Sequence, residues 1–154
     1  MDFIEITEEP LKVDEISAQV TDKSTGATSL FIGTTRDNFD GKKVIKLEYE
    51  AYTPMAKKKL KELCNRLRVK WEDLYHIAIY HRLGEVGPCE ASVIIAISSA
   101  HRCVKRILAI KTVPTEMVFC FQKCSKLLRE KIVLQPNYFR KQHFSLALLF
   151  NCLK

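Results

Sequence analysis

The sequence of 154 residues is short of glycine and proline, with five of each, and has a single tryptophan. It lacks any apolar run of about 20 residues, which excludes a typical membrane-spanning helix. Its first residues, MDFIEITEEP, lack the basic-then-apolar order of a secretory signal. Six cysteines without such a signal favour free thiols over disulfides. The length and the apolar share of 47% favour one domain with a substantial core. Because the signal and the membrane-spanning run are missing, we expect a soluble, cytoplasmic protein.

The last third of the chain is poor in acidic residues and contains no glycine. Residues 1–102 carry 15 Lys and Arg against 16 Asp and Glu, whereas residues 103–154 carry 10 against 2. Four of the six cysteines also lie at or after position 103. The composition therefore divides the chain near Arg102 into residues 1–102 and a basic segment, residues 103–154, whose fold the pattern does not predict.

Hydrophobic spacing predicts an α+β fold with a mainly antiparallel sheet. Val13, Ile16 and Val20 predict a short first helix. The run 27–35 is rich in β-branched and aromatic residues, and the run 44–52 alternates between apolar and charged residues. Both runs are predicted as strands, which together form an antiparallel hairpin with a long loop. Residues 76–83 and 91–99 predict two more strands, and the second is apolar enough to be buried on both faces.

A long helix is predicted between the two strand pairs. Thr53 and Pro54 are typical of a helix start, with the threonine as N-cap. Apolar residues then recur at helical spacing, at Ala56, Leu60, Leu63, Cys64, Leu67 and Trp71. In the basic segment the pattern is weaker, and Met117, Phe121, Cys124, Leu127, Leu128 and Ile132 fit a further helix.

Cationic side chains follow two of the predicted strands. Arg36 follows the run 27–35, and His101 with Arg102 follows the run 91–99. If these strands are neighbours that run the same way, the three side chains meet at one edge of the sheet and can bind phosphate or carboxylate. In the alternative interpretation Arg36 pairs with Asp37 or Asp40 at the surface, and His101 and Arg102 begin a helix.

Four strings, in this order and spacing, resemble the catalytic (large) subunit of molybdopterin synthase in its animal form. They are FIGTTRDNFDGKKV, LEYEAYTPMA, IAIYHRLGEV and ISSAHR. The resemblance covers roughly residues 3–102 and implies an α/β hammerhead fold. It also implies a homodimer that binds a small ubiquitin-like sulfur carrier in a heterotetramer. The carrier's C-terminal Gly-Gly thiocarboxylate would supply sulfur to cyclic pyranopterin monophosphate, forming the molybdopterin dithiolene, with no cofactor or metal in the protein.

The resemblance assigns substrate binding to Arg36, His101 and Arg102, with Thr34 and Thr35 adjacent. A cyclic phosphate needs fixed cationic donors, and arginine supplies them without titrating. We expect His101 to orient the phosphate rather than to act as a nucleophile, because no partner base is identifiable in the sequence.

After Arg102 the chain departs from the family, whose next segment is close to K-x-K-x-P-x-W-K-K-E and carries the catalytic lysines. The fragment that begins at Lys111 resembles this family segment only weakly. We therefore assign neither catalytic lysine to Lys111, Lys123 or Lys126. We interpret residues 103–154 as an alternative or frameshifted carboxyl end. In the family, a helix after Arg102 covers one face of the sheet. Residues 103–154 would have to cover that face instead, with Ile107, Leu108, Met117, Phe121 and Leu127.

Two other functions are kept as alternatives. The chain could be a non-catalytic dimer partner that binds the carrier without turnover, or its basic segment could bind nucleic acid. The second ranks low because the charges are interleaved with Leu, Ile and Phe. The spacing of Cys120, Cys124 and His143 is not that of a typical zinc site, and Cys64 is expected in the core and Cys89 in a loop.

Overall fold

The computed structural model describes residues 1–101, residue 113 and residues 128–135. These residues form an α+β fold, as the sequence predicts. The strands are β1 (Asp2–Thr7), β2 (Ala27–Thr34), β3 (Asn38–Phe39), β4 (Lys42–Ala51), β5 (Leu74–Arg82), β6 (Gly84–Val86), β7 (Ala91–Ser99) and β8 (Leu128–Leu134). The helices are α1 (Val13–Val20) and α2 (Thr53–Lys70).

The first sheet has the strand order β1-β5-β7-β2, and only the β1–β5 pair is parallel. Strand β7 is buried from Ser92 to Ser99, which confirms the predicted burial on both faces. Helix α2 packs on one face through Leu60, Leu63 and neighbouring apolar residues. Helix α1 packs on the other face, where Ile16 and Val20 join Ala78, Ile94 and Ala96.

The second sheet is built on β4, which pairs with β3 and β6 and also with β8. The predicted hairpin between β2 and β4 is therefore wrong. An interior strand needs hydrogen-bonding partners along both of its edges, and β5 and β2 are these partners for β7. Strand β4 belongs to the other sheet.

Strand β1 was not predicted, because it depends on contacts with distant residues. Arg68 of α2 donates hydrogen bonds to Asp2 and to the carbonyl oxygens of Met1, Leu74 and Tyr75. Burial by itself raises the pKa of Asp2, but the hydrogen bonds from Arg68 and Lys61 outweigh it and lower this pKa. The cations thus hold the first strand beside β5.

Part of the basic segment packs on the rest of the molecule. Leu128 and Ile132 lie in strand β8, so the helix predicted around them is wrong at these two residues. Ile132 and Leu134 pack against the large core cluster, and Val113 is fully buried within it. Of the residues expected to cover the sheet, Ile107, Leu108, Met117, Phe121 and Leu127 lie outside the described residues.

Both predicted helices of residues 1–102 are present. Helix α2 begins at Thr53, but its N-cap is Tyr52, and Trp71 is the C-cap rather than a helical residue. The apolar positions predicted for α2 from Ala56 to Leu67 are buried. In the described ranges, no helix has the length and hydropathy to cross a membrane.

Candidate functional site

The predicted substrate residues lie at opposite ends of the first sheet. Strands β2 and β7 are neighbours, as expected, but they are antiparallel, with Ala27 beside Ser99 and Thr34 beside Ala91. The condition that they run the same way is therefore not met, and the three side chains do not gather at one edge. Hydrophobic patterning predicts which face of a strand is buried and not the direction of the strand. The paired positions Ala27–Ser99 and Thr34–Ala91 are seven residues apart along β2. At about 3.3 Å per residue, the two ends of the sheet are therefore roughly 23 Å apart, with Arg36 beyond one end and His101 beyond the other. Arg102 lies outside the described residues.

At one end of the sheet, the backbone around Thr35 is tightly held. The Thr35 N–H donates to the Glu90 carbonyl oxygen at 3.1 Å, and the Thr35 carbonyl accepts from the Cys89 N–H at 2.8 Å. Thr35 is buried, whereas Thr34 and Arg36 are exposed. The two exposed side chains therefore project from a fixed backbone, where they can meet a ligand.

A second arginine, Arg82, stands near this end of the sheet and was missed in the sequence. Its Nη1 donates to Glu90 Oε2 at 3.0 Å, and the Gly87 N–H donates to the same oxygen at 2.8 Å. The hydrogen bond from the Gly87 N–H is the main cause that lowers the pKa of Glu90. Burial opposes this shift, and Arg82 lowers the pKa further. The carboxylate balances the charge of Arg82 and fixes the loop that carries Cys89.

Gly33 lets β2 approach β7 closely before Thr34. A Cβ at this position would lie 2.6 Å from Cγ1 of Val93, which is too close. The Ser92 hydroxyl donates to the Gly33 carbonyl at 3.3 Å, and the register shifts between Gly33 and Thr34. This irregularity sets the direction in which Thr34, Thr35 and Arg36 leave the sheet.

At the other end of the sheet, Gly26 anchors the turn before His101. The Gly26 N–H donates to the carbonyl oxygens of Ser99 at 3.0 Å and Ala100 at 3.1 Å. A Cβ on Gly26 would lie 2.5 Å from the Ala100 oxygen, so only glycine fits. The Ser99 hydroxyl donates to the His101 carbonyl at 3.4 Å, and His101 itself is exposed. The imidazole is thus placed at the surface by a fixed backbone.

The cysteines of residues 1–101 occupy the predicted positions. Burial raises the pKa of the Cys64 thiol to about 12, in keeping with its place in the core. Cys89 is exposed in the loop before β7. No group of three His, Cys, Asp or Glu side chains suited to a metal occurs among the described residues. Cys120, Cys124 and His143 lie outside them.

The family model described as MoaE protein matches residues 6–105, about two thirds of the chain. This range contains all four strings that carry the resemblance.

The chain belongs to the MoaE protein family.

Relatives of this MoaE chain carry the name molybdopterin synthase catalytic subunit. The Taeniopygia guttata protein is 58% identical over 101 residues, which cover 66% of this chain and 65% of the relative. The Bos taurus protein is also 58% identical over 101 residues, which cover 53% of its length. The Drosophila grimshawi protein is 55% identical over 102 residues, and the match spans 28% of it. The chain thus spans from under a third to about two thirds of these relatives.

Solved structures share the fold of this MoaE chain. The crystal structure of molybdopterin synthase from Staphylococcus aureus has a TM-score of 0.74 at 29% identity and covers 86% of this chain and 91% of that one. The MoaE protein from Burkholderia ambifaria has a TM-score of 0.68 at 23% identity, which supports the fold. The mixed α+β architecture predicted from the sequence is confirmed.

Proposed function

We propose that this chain acts in molybdenum cofactor biosynthesis as the catalytic subunit of molybdopterin synthase. It would transfer sulfur from a thiocarboxylated carrier protein to cyclic pyranopterin monophosphate and so form the dithiolene. The match of the MoaE family model to residues 6–105 is the observation that carries this proposal. The identity of 58% to two vertebrate catalytic subunits supports it.

The substrate phosphate is proposed to bind Arg36, His101 and Arg102, with Thr34 contributing a hydroxyl. Because Arg36 and His101 lie at opposite ends of the sheet within one chain, the two residues would have to come from different subunits of the proposed homodimer. Arg36 and Thr34 are exposed on a backbone that hydrogen bonds fix, and His101 is exposed at the end of β7. Thr35 is 2% exposed, which supports a role in holding the backbone rather than in touching the ligand. A guanidinium offers a planar pair of donors that suits a phosphate.

The sulfur carrier is proposed as the partner that brings the second substrate. Its Gly-Gly thiocarboxylate must reach the pterin, so the tail has to dock beside the phosphate-binding residues. The family string K-x-K-x-P-x-W-K-K-E does not follow Arg102, and the family match ends at residue 105. We therefore assign no catalytic lysine and expect little or no synthase activity from the isolated chain.

Turnover with purified carrier thiocarboxylate and cyclic pyranopterin monophosphate tests this function. A chimera that carries residues 1–102 followed by the standard family ending should form dithiolene, whereas the native chain should form little. In the chimera, Arg36→Ala should lower kcat/KM by about 10- to 100-fold, the effect of losing one charged hydrogen-bonding group. Arg66→Ala, an exposed arginine on α2, is the matched control and should change it little.

Each outcome of this assay decides a separate point. An inactive chimera that also fails to bind the pterin would contradict the proposed function. Turnover by the native chain at the chimera's rate would contradict the expected loss of activity. Binding of the carrier by the native chain without product would support the non-catalytic dimer partner.

A further inference from the structure

Residues 87–90 form a tight turn between β6 and β7. The Glu90 N–H donates to the Gly87 carbonyl oxygen at 3.1 Å and closes the turn. Pro88 occupies the second position, and Cys89 occupies the third with a φ of +67°. Because proline fixes its own φ at about −65°, a positive φ at the next residue makes this a type II turn. Glycine is the preferred residue at the third position, so the cysteine is held in a strained conformation.

The Glu90 carboxylate holds this turn closed. Its Oε2 accepts hydrogen bonds from the N–H of Gly87, the first residue of the turn, at 2.8 Å and from Nη1 of Arg82 at 3.0 Å. Hydrogen bonds to an ionised group are stronger than those between neutral groups. Arg82 belongs to β5 and its side chain is only 14% exposed, so the turn is anchored to the first sheet. These bonds offset the strain at Cys89.

The same turn holds the backbone directly before Arg36. The Thr35 N–H donates to the Glu90 carbonyl oxygen, and the Thr35 carbonyl accepts from the Cys89 N–H. Thr35 also pairs with Pro88 in a short parallel bridge. Both backbone groups of Thr35 therefore depend on the turn, and a turn that opens would release the point from which the Arg36 side chain extends.

We propose that Glu90, together with Arg82, is a positioning residue for Arg36. The carboxylate keeps the strained turn closed, the turn holds Thr35 by both backbone groups, and Thr35 fixes the direction in which Arg36 leaves the sheet. A side chain on a fixed backbone loses less conformational freedom when it binds a ligand. That this ligand is the pterin phosphate rests on the proposed function.

Backbone order at Arg36 tests the positioning without any ligand. In the full chain, the amide order parameter from nitrogen-15 relaxation should be about 0.85, the value of a rigid backbone. Glu90→Ala should lower it toward about 0.6, because the turn can then open. Adding Cys89→Gly should restore it, because glycine adopts a positive φ without strain and the turn no longer needs the carboxylate. Loss of overall stability alone would not produce this rescue.

Glu85→Ala is the matched control. Glu85 is an exposed glutamate of β6 that pairs with Lys46 of the second sheet. Its removal also deletes one carboxylate and one ion pair, but it leaves the turn intact. The order parameter of Arg36 should therefore stay at the wild-type value. Circular dichroism should show that each variant is folded.

Titration calorimetry of the full chain with cyclic pyranopterin monophosphate measures the consequence for binding. Glu90→Ala should raise the Kd by about 10-fold, as expected when a binding group is misplaced. Addition of Cys89→Gly should bring the Kd back to within about two-fold of the wild type. Glu90→Gln keeps an acceptor for the Gly87 N–H but loses the charge that faces Arg82, so its Kd should rise by about three-fold. This variant carries the test if Glu90→Ala does not fold.

The results separate this inference from the proposed function. Unchanged order at Arg36 in Glu90→Ala, or no recovery on adding Cys89→Gly, would overturn the positioning role. A Kd that rises in Glu90→Ala and stays high in the double variant would indicate direct contact of Glu90 with the ligand and would also overturn it. Loss and rescue of order in a chain whose wild type binds no pterin would support the positioning and contradict the proposed function.

Discussion

A buried histidine joins the two sheets. His81 of β5 packs edge-on against the ring of Tyr49 of β4, with ring centroids 5.1 Å apart. Its Nδ1 lies 2.8 Å from the carbonyl oxygen of Arg82, to which the neutral ring donates a hydrogen bond. Burial lowers the pKa of His81 to about 4, although the Arg82 carbonyl opposes the shift. The folded protein therefore keeps this ring neutral.

Acid should destabilise the protein through His81. The unfolded chain binds a proton here below pH 6.5, while the folded chain resists it until about pH 4. The stabilising contribution is thus complete above pH 6.5 and is lost as the pH falls toward 4. We expect the free energy of unfolding to decrease by about 3 kcal/mol from this residue over that range. Urea titrations at a series of pH values measure it.

A glutamine at position 81 isolates this effect. His81→Gln does not titrate, so its unfolding free energy should depend less on pH between 4 and 6.5 than that of the wild type. His101→Gln makes the same substitution at an exposed position and is the matched control. An equal slope in His81→Gln and wild type would disprove the assignment.

The sequence largely predicted which residues are buried, but it did not predict which residues of different strands contact each other. The periodicity of α2 correctly placed Leu60, Leu63 and Cys64 in the core. The pairing of Arg82 with Glu90 depends on the register of β5 and β7, which no local pattern fixes. The same holds for Arg36 and His101, which the strand direction separates.

Among the elements, strand β8 shows how the basic segment is tied to the family core. It pairs with β4 from Val44 to Ala51, and Lys131 donates to Glu48 at 2.8 Å. The larger contribution to stability should come from its apolar face, because exposed ion pairs are worth about 0–1 kcal/mol. Ile132 and Leu134 supply that face.

A charge on the apolar face of β8 should weaken the fold. Ile132→Asp removes a half-buried apolar group and places a carboxylate against the core, which should cost about 2 kcal/mol of unfolding free energy. Lys131→Gln loses only the exposed ion pair with Glu48 and should cost less than about 0.5 kcal/mol. Denaturant unfolding compares them, and equal costs would show that β8 does not pack as described.

Helices were easier to predict than strand partners. Both α1 and α2 carry their own periodic signal, so their existence needs no knowledge of the rest of the chain. Strands β1 and β8 are stabilised by pairing with residues far away in the sequence. A strand of this kind is defined by its neighbour, which explains why β1 was missed and Ile132 was placed in a helix.

At the scale of the whole molecule, the described residues on both sides of the composition change near Arg102 pack together. Val113 is buried in the same cluster as Leu60 and Ile95, and β8 completes the sheet of β4. The sequence predicted where the family resemblance ends. It contained no signal that Val113 and strand β8, which follow that point, would pack against the core. Their apolar positions match a helix as well as a strand.

Removing the basic segment should expose the core. A chain that ends at Arg102 loses Val113 and β8, so we expect a lower melting temperature and increased binding of a hydrophobic dye. A chain that ends at Gln135 retains every described contact and should be clearly more stable than the shorter one. Equal melting temperatures of the two truncated chains would contradict a stabilising role for residues 113 and 128–134.

The pairing of β4 with β8 also has a consequence for the protein while it is being synthesised. Strand β4 ends at Ala51, and its partner begins at Leu128. At about 5–20 residues per second, a ribosome needs roughly 4–15 seconds to make the intervening chain. During that time one hydrogen-bonding edge of β4 has no native partner, and this is the interval in which a nascent chain would benefit most from a chaperone.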